Sequence, residues 1–295
     1  MANGLRAFDG GVAIVTGAAS GIGRAISDAL AERGCHVVLA DIDLDDAEAA
    51  AQQIRERGGR ASARRLDVTR FEQVGQVVDQ TVDEHGRLDY VFNNAGIGVG
   101  GEVVDHTVEA WNQIIGVNLL GVIHGVQCAY PAMIRQGFGH IVNTASIAGL
   151  VASPGMTSYT TTKHAVVGLS KALRIEAHAR GIRVSVLCPG VIRTPLLQGG
   201  RHGIFLVPLP EGRARELVNE YFERLRPMPA PTFARKALDQ IARGRAVIII
   251  PTWWKIAWWL ERASPSLMLY LLRRGYERNR TFMTSASPPT GSLAR

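Results

Sequence analysis

Cysteine is scarce in this chain. There are three in 295 residues, Cys35, Cys128 and Cys188, each in an apolar run, and none forms a CxxC pair. That excludes a disulfide framework and reads as small buried residues in a reduced compartment. The eight histidines show neither HExxH nor a His/Cys cluster, so no protein-bound metal is expected. Residues 1–11 lack the apolar core of a secretory signal, so a cytoplasmic protein is expected. Excess positive charge is missing from the first two thirds. Residues 1–198 hold 17 Lys+Arg and 19 Asp+Glu, whereas 199–295 hold 16 and 7. The net +7 therefore belongs to the last third. There it is interleaved with Trp and Leu rather than drawn out as a basic stripe, which argues against a nucleic-acid binder.

What the chain does have is apolar content, 46% of residues, enough for one large α/β unit. Val12–Val15 is a short continuous apolar run, as in a strand buried on both faces of a parallel sheet. Gly17-Ala18-Ala19-Ser20-Gly21-Ile22-Gly23 follows, then a helical pattern from Arg24. A glycine-rich turn between strand and helix lets the backbone approach a pyrophosphate, which the helix amides then hold. The next strand, His36–Ala40, ends at Asp41. A carboxylate there suits the free hydroxyls of an adenosine ribose and repels a 2′-phosphate. Ser20 and Ile42, where a base might accept that phosphate, are neutral. This predicts NAD rather than NADP.

The alternation continues. Helices are predicted over 44–57, 71–85, 108–136 and 158–179, and strands over 60–66, 88–92, 140–144 and 183–187. A further helix at 233–243 and a seventh strand at 246–250 complete a doubly wound parallel sheet, Rossmann-like, with helices on both faces. Ligands of such sheets lie at the carboxyl ends of the strands. Gly17, Asp41, Asp67, Asn94, Ser146 and Pro189 all fall there.

Tyr159 and Lys163 stand four apart on the 158–179 helix, so both side chains reach one space. A free tyrosine titrates near ~10 and is a poor base at neutral pH. A fixed ammonium nearby favours the phenolate. Taken alone, such a pair is usually an interior edge and a solvated tip.

With its neighbours, the sequence resembles the short-chain dehydrogenase/reductase family over residues 10 to about 250. The motifs are Thr16-Gly17-x-x-x-Gly21-Ile22-Gly23, Asn93-Asn94-Ala95-Gly96, Asn118, Ser146, Tyr159-x-x-x-Lys163, and Pro189-Gly190 with Thr194. The resemblance implies hydride transfer between a nicotinamide and an alcohol or ketone. Tyr159 would be the general acid/base and Ser146 the donor to the substrate oxygen. Lys163 would lower the pKa of Tyr159 and bind the nicotinamide ribose. Asn118 would hold a relay water. Asp67, with Val68 beside it, would meet the adenine, and Thr194 the carboxamide. No catalytic position departs from the pattern. The Gly-x-x-Gly-x-x-Gly turn of epimerases and the seven-residue Tyr–Lys spacing of enoyl reductases are both absent.

The resemblance stops helping at 191–230, where the family places a variable lid. Gly199, Gly200 and Gly203 allow movement there, and Ile204-Phe205-Leu206-Val207 and Tyr221-Phe222 supply apolar surface for a bulky or apolar substrate. A loop without substrate contact is the alternative. Residues 251–284 form an extension with four of the five tryptophans. Wound as a helix, Trp253, Ile256, Ala257 and Leu260 share a face. The extension offers no uncharged stretch of the ~18 residues that a span needs. It is expected to roof the pocket, pack on another subunit, or lie in a membrane interface. The tail, 285–295, reads as disordered. A homo-oligomer is expected because the 108–136 and 158–179 helices carry more apolar residues than one face needs. The function expected is NAD-dependent alcohol oxidation or ketone reduction. An acyl-carrier-protein ketoreductase and a catalytically silent NAD-binding regulator are the alternatives.

Overall fold

The computed structural model describes residues 4–198, 203–206, 216, 220 and 222–285. The first half runs β1 (Val12–Thr16), α1 (Gly21–Ala31), β2 (His36–Asp41), α2 (Leu44–Glu56), β3 (Arg60–Arg65), α3 (Phe71–His85) and β4 (Tyr90–Asn93). Then come β5 (Gly98–Gly101), α4 (Val108–Ile115), α5 (Gly121–Gln136), β6 (Gly139–Thr144), α6 (Thr157–His178) and β7 (Ile182–Pro189). The last part holds β8 (Ile192–Arg193), β9 (Gly203–Leu206), β10 (Met228–Pro229), α7 (Ala230–Ala242), β11 (Val247–Ile250), α8 (Trp254–Ala263) and α9 (Pro265–Ser285).

Seven strands form one parallel sheet in the order β11-β7-β6-β4-β1-β2-β3. The order reverses beside β1, where β2 lies on one side and β4 on the other. That reversal opens a crevice at the carboxyl ends of the strands. The β1 run is apolar throughout because both its faces are covered. Ala13 and Val15 join Ile26, Leu30 and Phe233 of α1 and α7 in one core layer. Ile14 joins Val74, Val78 and Met133 of α3 and α5 in the other. Alternate residues of a strand face opposite ways, and here each way is core.

Four features differ from the sequence reading. The helix expected over 108–136 is interrupted by a π-helical turn, Gly116–Leu120. Asn118 sits in that turn, and its side chain accepts from the Ile97 amide at 2.8 Å and donates to the Ile97 carbonyl at 2.9 Å. The glycines that weaken this helix by propensity are demanded by packing. A Cβ on Gly125 would stand 1.8 Å from Asn93 Oδ1, and one on Gly121 2.8 Å from Val68 Cγ2. By length and composition the 108–136 stretch could cross a membrane, yet its Val126, Ala129 and Met133 are in the core. The second difference is two small parallel pairs, β5–β9 and β8–β10, too short to show periodicity. The third is Cys128, which is half-buried, while Cys35 and Cys188 are buried as expected.

The fourth is the rotation of α8. Trp254, Ala257, Trp258 and Leu260 pack on a core of Leu150, Val151 and Val166. Trp253, Ile256 and Trp259 are exposed. The indole of Trp254 lies against Gly190, where a Cβ would stand 2.2 Å from Nε1, and this contact fixes the rotation. Gly199, Gly200, Val207, Tyr221 and the tail from 286 lie outside the described residues.

Candidate active site

One cavity of about 1000 Å³ runs along the carboxyl ends of the strands. Gly17, Ser20, Gly21, Ile22, Asp41, Asp67, Val68, Asn94, Ala95 and Gly96 line it towards β1–β4. Ser146, Tyr159, Lys163, Pro189, Gly190 and Thr194 line it towards β6 and β7. Two expected site residues, Gly23 and Asn118, lie behind the wall.

The glycine turn is shaped for a ligand's backbone-close approach. Gly17 and Gly21 have φ of +64° and +56°, left-handed conformations that disfavour side chains. A Cβ on Gly17 would stand 2.8 Å from Ala95 Cα, and one on Gly23 2.1 Å from the Gly17 carbonyl oxygen. Gly23 thus lets α1 close on the turn rather than touching the cavity. Ser20 precedes α1 without a side-chain cap, so its hydroxyl does not occupy the first helix amides. Such amides, at the positive end of a helix, fit a pyrophosphate.

Asp41 is buried at the carboxyl end of β2 and accepts from the Ala19 amide at 2.9 Å and the Asp43 amide at 3.1 Å. The carboxylate is therefore fixed against the turn. Ile42 beside it is 58% exposed and uncharged, which leaves no base there for a phosphate. Asp67 accepts from the amide and hydroxyl of Thr69. Thr16 knits the ends of β1 and β4, its hydroxyl accepting from the amides of Asn94 and Ala95 at 2.9 and 3.0 Å. Asn94 Nδ2 donates to the Thr16 carbonyl in return.

At the other end, α6 carries Tyr159 and Lys163 one turn apart. Lys163 is buried, and its Nζ donates to the Thr144 carbonyl at 2.9 Å while standing 5.5 Å from the Tyr159 ring centre. Burial pushes its ammonium down to about 8. Ser146 accepts from the Ala148 amide at 3.1 Å, which points its hydroxyl into the cavity rim. Burial pushes the Tyr159 phenol above its ordinary value, and the hydrogen bond with Ser146 pulls the other way. Desolvation disfavours the phenolate and is the largest cause of that shift.

The sequence reading missed several contributors. Thr144 positions Lys163 through a backbone carbonyl, which no side-chain motif reports. Asn143 links Asn93 at 2.8 Å to Ser170 at 3.0 Å beneath the site. Trp254, Met268, Leu272 and Tyr276 of the extension line the cavity. Their four-residue spacing from 268 to 276 was a readable signal of one helix face. The Tyr276 hydroxyl donates to Glu102 Oε1 at 2.6 Å, tying α9 to the loop after β5. Ile204 and Leu206 of the expected lid do not line the cavity. They pack with Ile97, Val99 and Ile114 beside Tyr159, because β9 pairs with β5. Phe222 does line it.

A doubly wound sheet with this turn and this Ser–Tyr–Lys set defines a dinucleotide-binding oxidoreductase. The chain belongs to the short chain dehydrogenase family, whose model matches residues 11–203. The protein SadH of Mycobacterium tuberculosis is 33% identical over 277 residues, covering 93% of this chain and 95% of that one. The cyclohexanol dehydrogenase of Acinetobacter sp. (strain SE19) is 39% identical over 191 residues, 64% of this chain and 76% of that one. A short chain dehydrogenase/reductase from Burkholderia phymatum, solved in complex with NAD, has a TM-score of 0.79 at 32% identity. It covers 89% of this chain and 96% of its own.

Proposed function

We propose that this short chain dehydrogenase moves a hydride between NAD(H) and an apolar secondary alcohol or the matching ketone. The observation that carries this is the convergence of Ser146, Tyr159 and Lys163 on one end of a cavity whose other end is the glycine turn and Asp41. A bound nicotinamide would supply or accept the hydride. The chain's own groups do the rest. The Tyr159 hydroxyl exchanges a proton with the substrate oxygen. Ser146 donates to that oxygen as charge develops on it. Lys163, with one donor spent on Thr144, keeps two for the ribose and the Tyr159 side. Asn118, fixed to Ile97, shapes the route by which a water reaches Lys163. A Cβ on the intervening Gly96 would stand 3.3 Å from Asn118 Oδ1 and 3.6 Å from Lys163 Nζ. Gly17, Ser20, Gly21 and Ile22 serve the pyrophosphate, with Gly23 letting α1 close behind them, Asp41 and Asn94–Gly96 serve the adenosine side, and Asp67 and Val68 the adenine. Pro189, Gly190 and Thr194 serve the carboxamide.

The NAD preference rests on the fixed Asp41 carboxylate and the uncharged Ile42 and Ser20. The apolar substrate rests on Trp254, Met268, Leu272 and Phe222 in the wall, and on the named activity of the cyclohexanol dehydrogenase relative. We take 1–250 as the catalytic unit with a lid at 191–230, and 251–284 as an extension completing the pocket. A silent regulator would have no chemical need for all three of Ser146, Tyr159 and Lys163. An acyl-carrier-protein ketoreductase is disfavoured by Asp41. We also expect a homo-oligomer, since Ile175, Leu120 and Phe71 are exposed on the outer helices. A monomeric mass by light scattering would refute that. The function is tested with a panel of apolar secondary alcohols and NAD, followed by absorbance. Turnover of none of them, with NAD bound, would reject the substrate class.

A further inference from the structure

The extension has two faces, and the cavity uses only one. On α9, Met268, Leu272, Gly275 and Tyr276 face the cavity. Leu267, Tyr270 and Leu271 are 44–47% exposed. A spacing of 3.6 residues per turn puts Leu267, Tyr270, Leu271, Arg274 and Arg278 on one stripe. On the adjoining α8, Trp253, Ile256 and Trp259 are 51%, 73% and 60% exposed. Leu271 belongs to both sets, exposed and cavity-lining, so this stripe reaches the cavity rim.

The charges beside these residues have one dominant sign. Within 251–278 the cations are Lys255, Arg262, Arg273, Arg274 and Arg278, and the carboxylates only Glu261 and Glu277. Arg274 lies over the Tyr270 ring at 5.3 Å and Arg262 over the Trp258 ring at 5.5 Å. Neither helix is among the candidate spans. Exposed tryptophan and tyrosine with flanking arginines, on helices not apolar enough to cross, is the composition of a helix lying in a bilayer interface. Anionic lipid headgroups are complementary to these cations.

We propose that the outer face of α8 and α9 docks on an anionic phospholipid surface, with Leu271 and the cavity rim set against the lipid. An apolar substrate dissolved in the bilayer would then reach the cavity without crossing water. The docking itself stands on exposure and charge, independently of the substrate reading.

The test is flotation of the full chain with vesicles of phosphatidylcholine, alone or with added phosphatidylglycerol. The chain should float with the anionic vesicles, fail with the neutral ones, and be released by high salt. Tryptophan emission should shift to the blue on the same vesicles. Ile256→Asp with Trp259→Asp should cut the floated fraction about tenfold or more. Both positions lie outside the cavity wall, so NAD binding and the thermal midpoint should hold. Arg273→Glu with Arg274→Glu should do the same by reversing the charge beside Tyr270, with the loss of the Arg273–Glu277 pair and of both contacts on the Tyr270 ring. No flotation on either vesicle overturns the proposal, as does equal flotation of the variants. If the wild type stays down and the variants lose oligomeric mass by light scattering, the face joins copies of this chain and the proposal is wrong. No arm reads turnover, so failure to find a substrate leaves the test intact.

Discussion

Two residues of the site carry opposing demands. Tyr159 must give and take a proton near neutral pH, yet its burial favours the neutral phenol. The hydrogen bond with Ser146 opposes this, and a bound nicotinamide cation would add to that opposition. Tyr159→Phe deletes only the exchangeable proton and the acceptor of Ser146. It should lower kcat by about 10²-fold or more while NAD binds with nearly unchanged affinity. A variant keeping a tenth of the rate would remove Tyr159 from the chemistry. At the other end, Asp41→Ala with Ile42→Arg exchanges a fixed carboxylate for a cation beside the ribose site. The ratio of kcat/KM for NAD over NADP should fall by at least about tenfold, since like-charge repulsion and a lost ribose acceptor act together. A wild-type ratio already favouring NADP would show that the carboxylate does not face the ribose. The residues of both tests were legible in the sequence because their chemistry lies in side chains at family spacing. Thr144 was not, because it acts through its carbonyl. The upward push of burial on Tyr159 was not legible, because spacing reports a neighbouring charge and says nothing of desolvation.

At the scale of elements, strand and helix order was legible because the central strands, β1, β6 and β7 among them, are largely apolar runs covered on both faces. The π turn at Asn118 was not, since a side chain drawn to Ile97 leaves no mark on periodicity. Helix rotation in the extension was missed for a similar reason. With apolar residues nearly all round α8, the contact of Trp254 with Gly190 chooses the face. That contact changes how the extension should be tested. Cutting after Ile250 would strip Trp254, Trp258 and Met268 from a core containing Val151, Val166 and Val186, and would destabilise as well as open the cavity. The hydrogen bond from Tyr276 to Glu102 is the cleaner target. Tyr276→Phe keeps the ring and removes a contact worth about 1.5–3 kcal/mol to a charged acceptor. KM for apolar substrates should rise several-fold with kcat and thermal midpoint little changed. An unchanged KM for every substrate would mean that α9 needs no strap.

At the scale of the molecule, acid should be the chain's weak side. His140 lies on β6 in the middle of the sheet, fully buried. Its Nε2 pairs with Ser185 Oγ at 2.8 Å, and that hydroxyl donates to the Arg245 carbonyl at 2.6 Å. Ser185 must therefore accept, so Nε2 carries the proton and Nδ1, without a partner, is bare. Burial first, then Arg183 and Arg174, push this imidazole down to about 3 from an ordinary 6.5. His36, its ring centre 4.2 Å from that of His85, is pushed down to about 4 by burial and that neighbour. Between these values and 6.5 the unfolded chain binds protons that the native chain refuses. Stability therefore rises with pH across that window and falls as pH drops through it. A fully buried group contributes a slope of up to about 1.4 kcal/mol per pH unit. His140→Gln keeps a donor for Ser185 and cannot titrate. It should lower stability at pH 7 through imperfect packing yet flatten the decline between pH 6 and pH 4 by about one proton's slope. Denaturant melts at several pH values measure both effects separately. An unaltered slope would mean that His140 is protonated in the native sheet, and that its place beside Arg174 and Arg183 has another explanation.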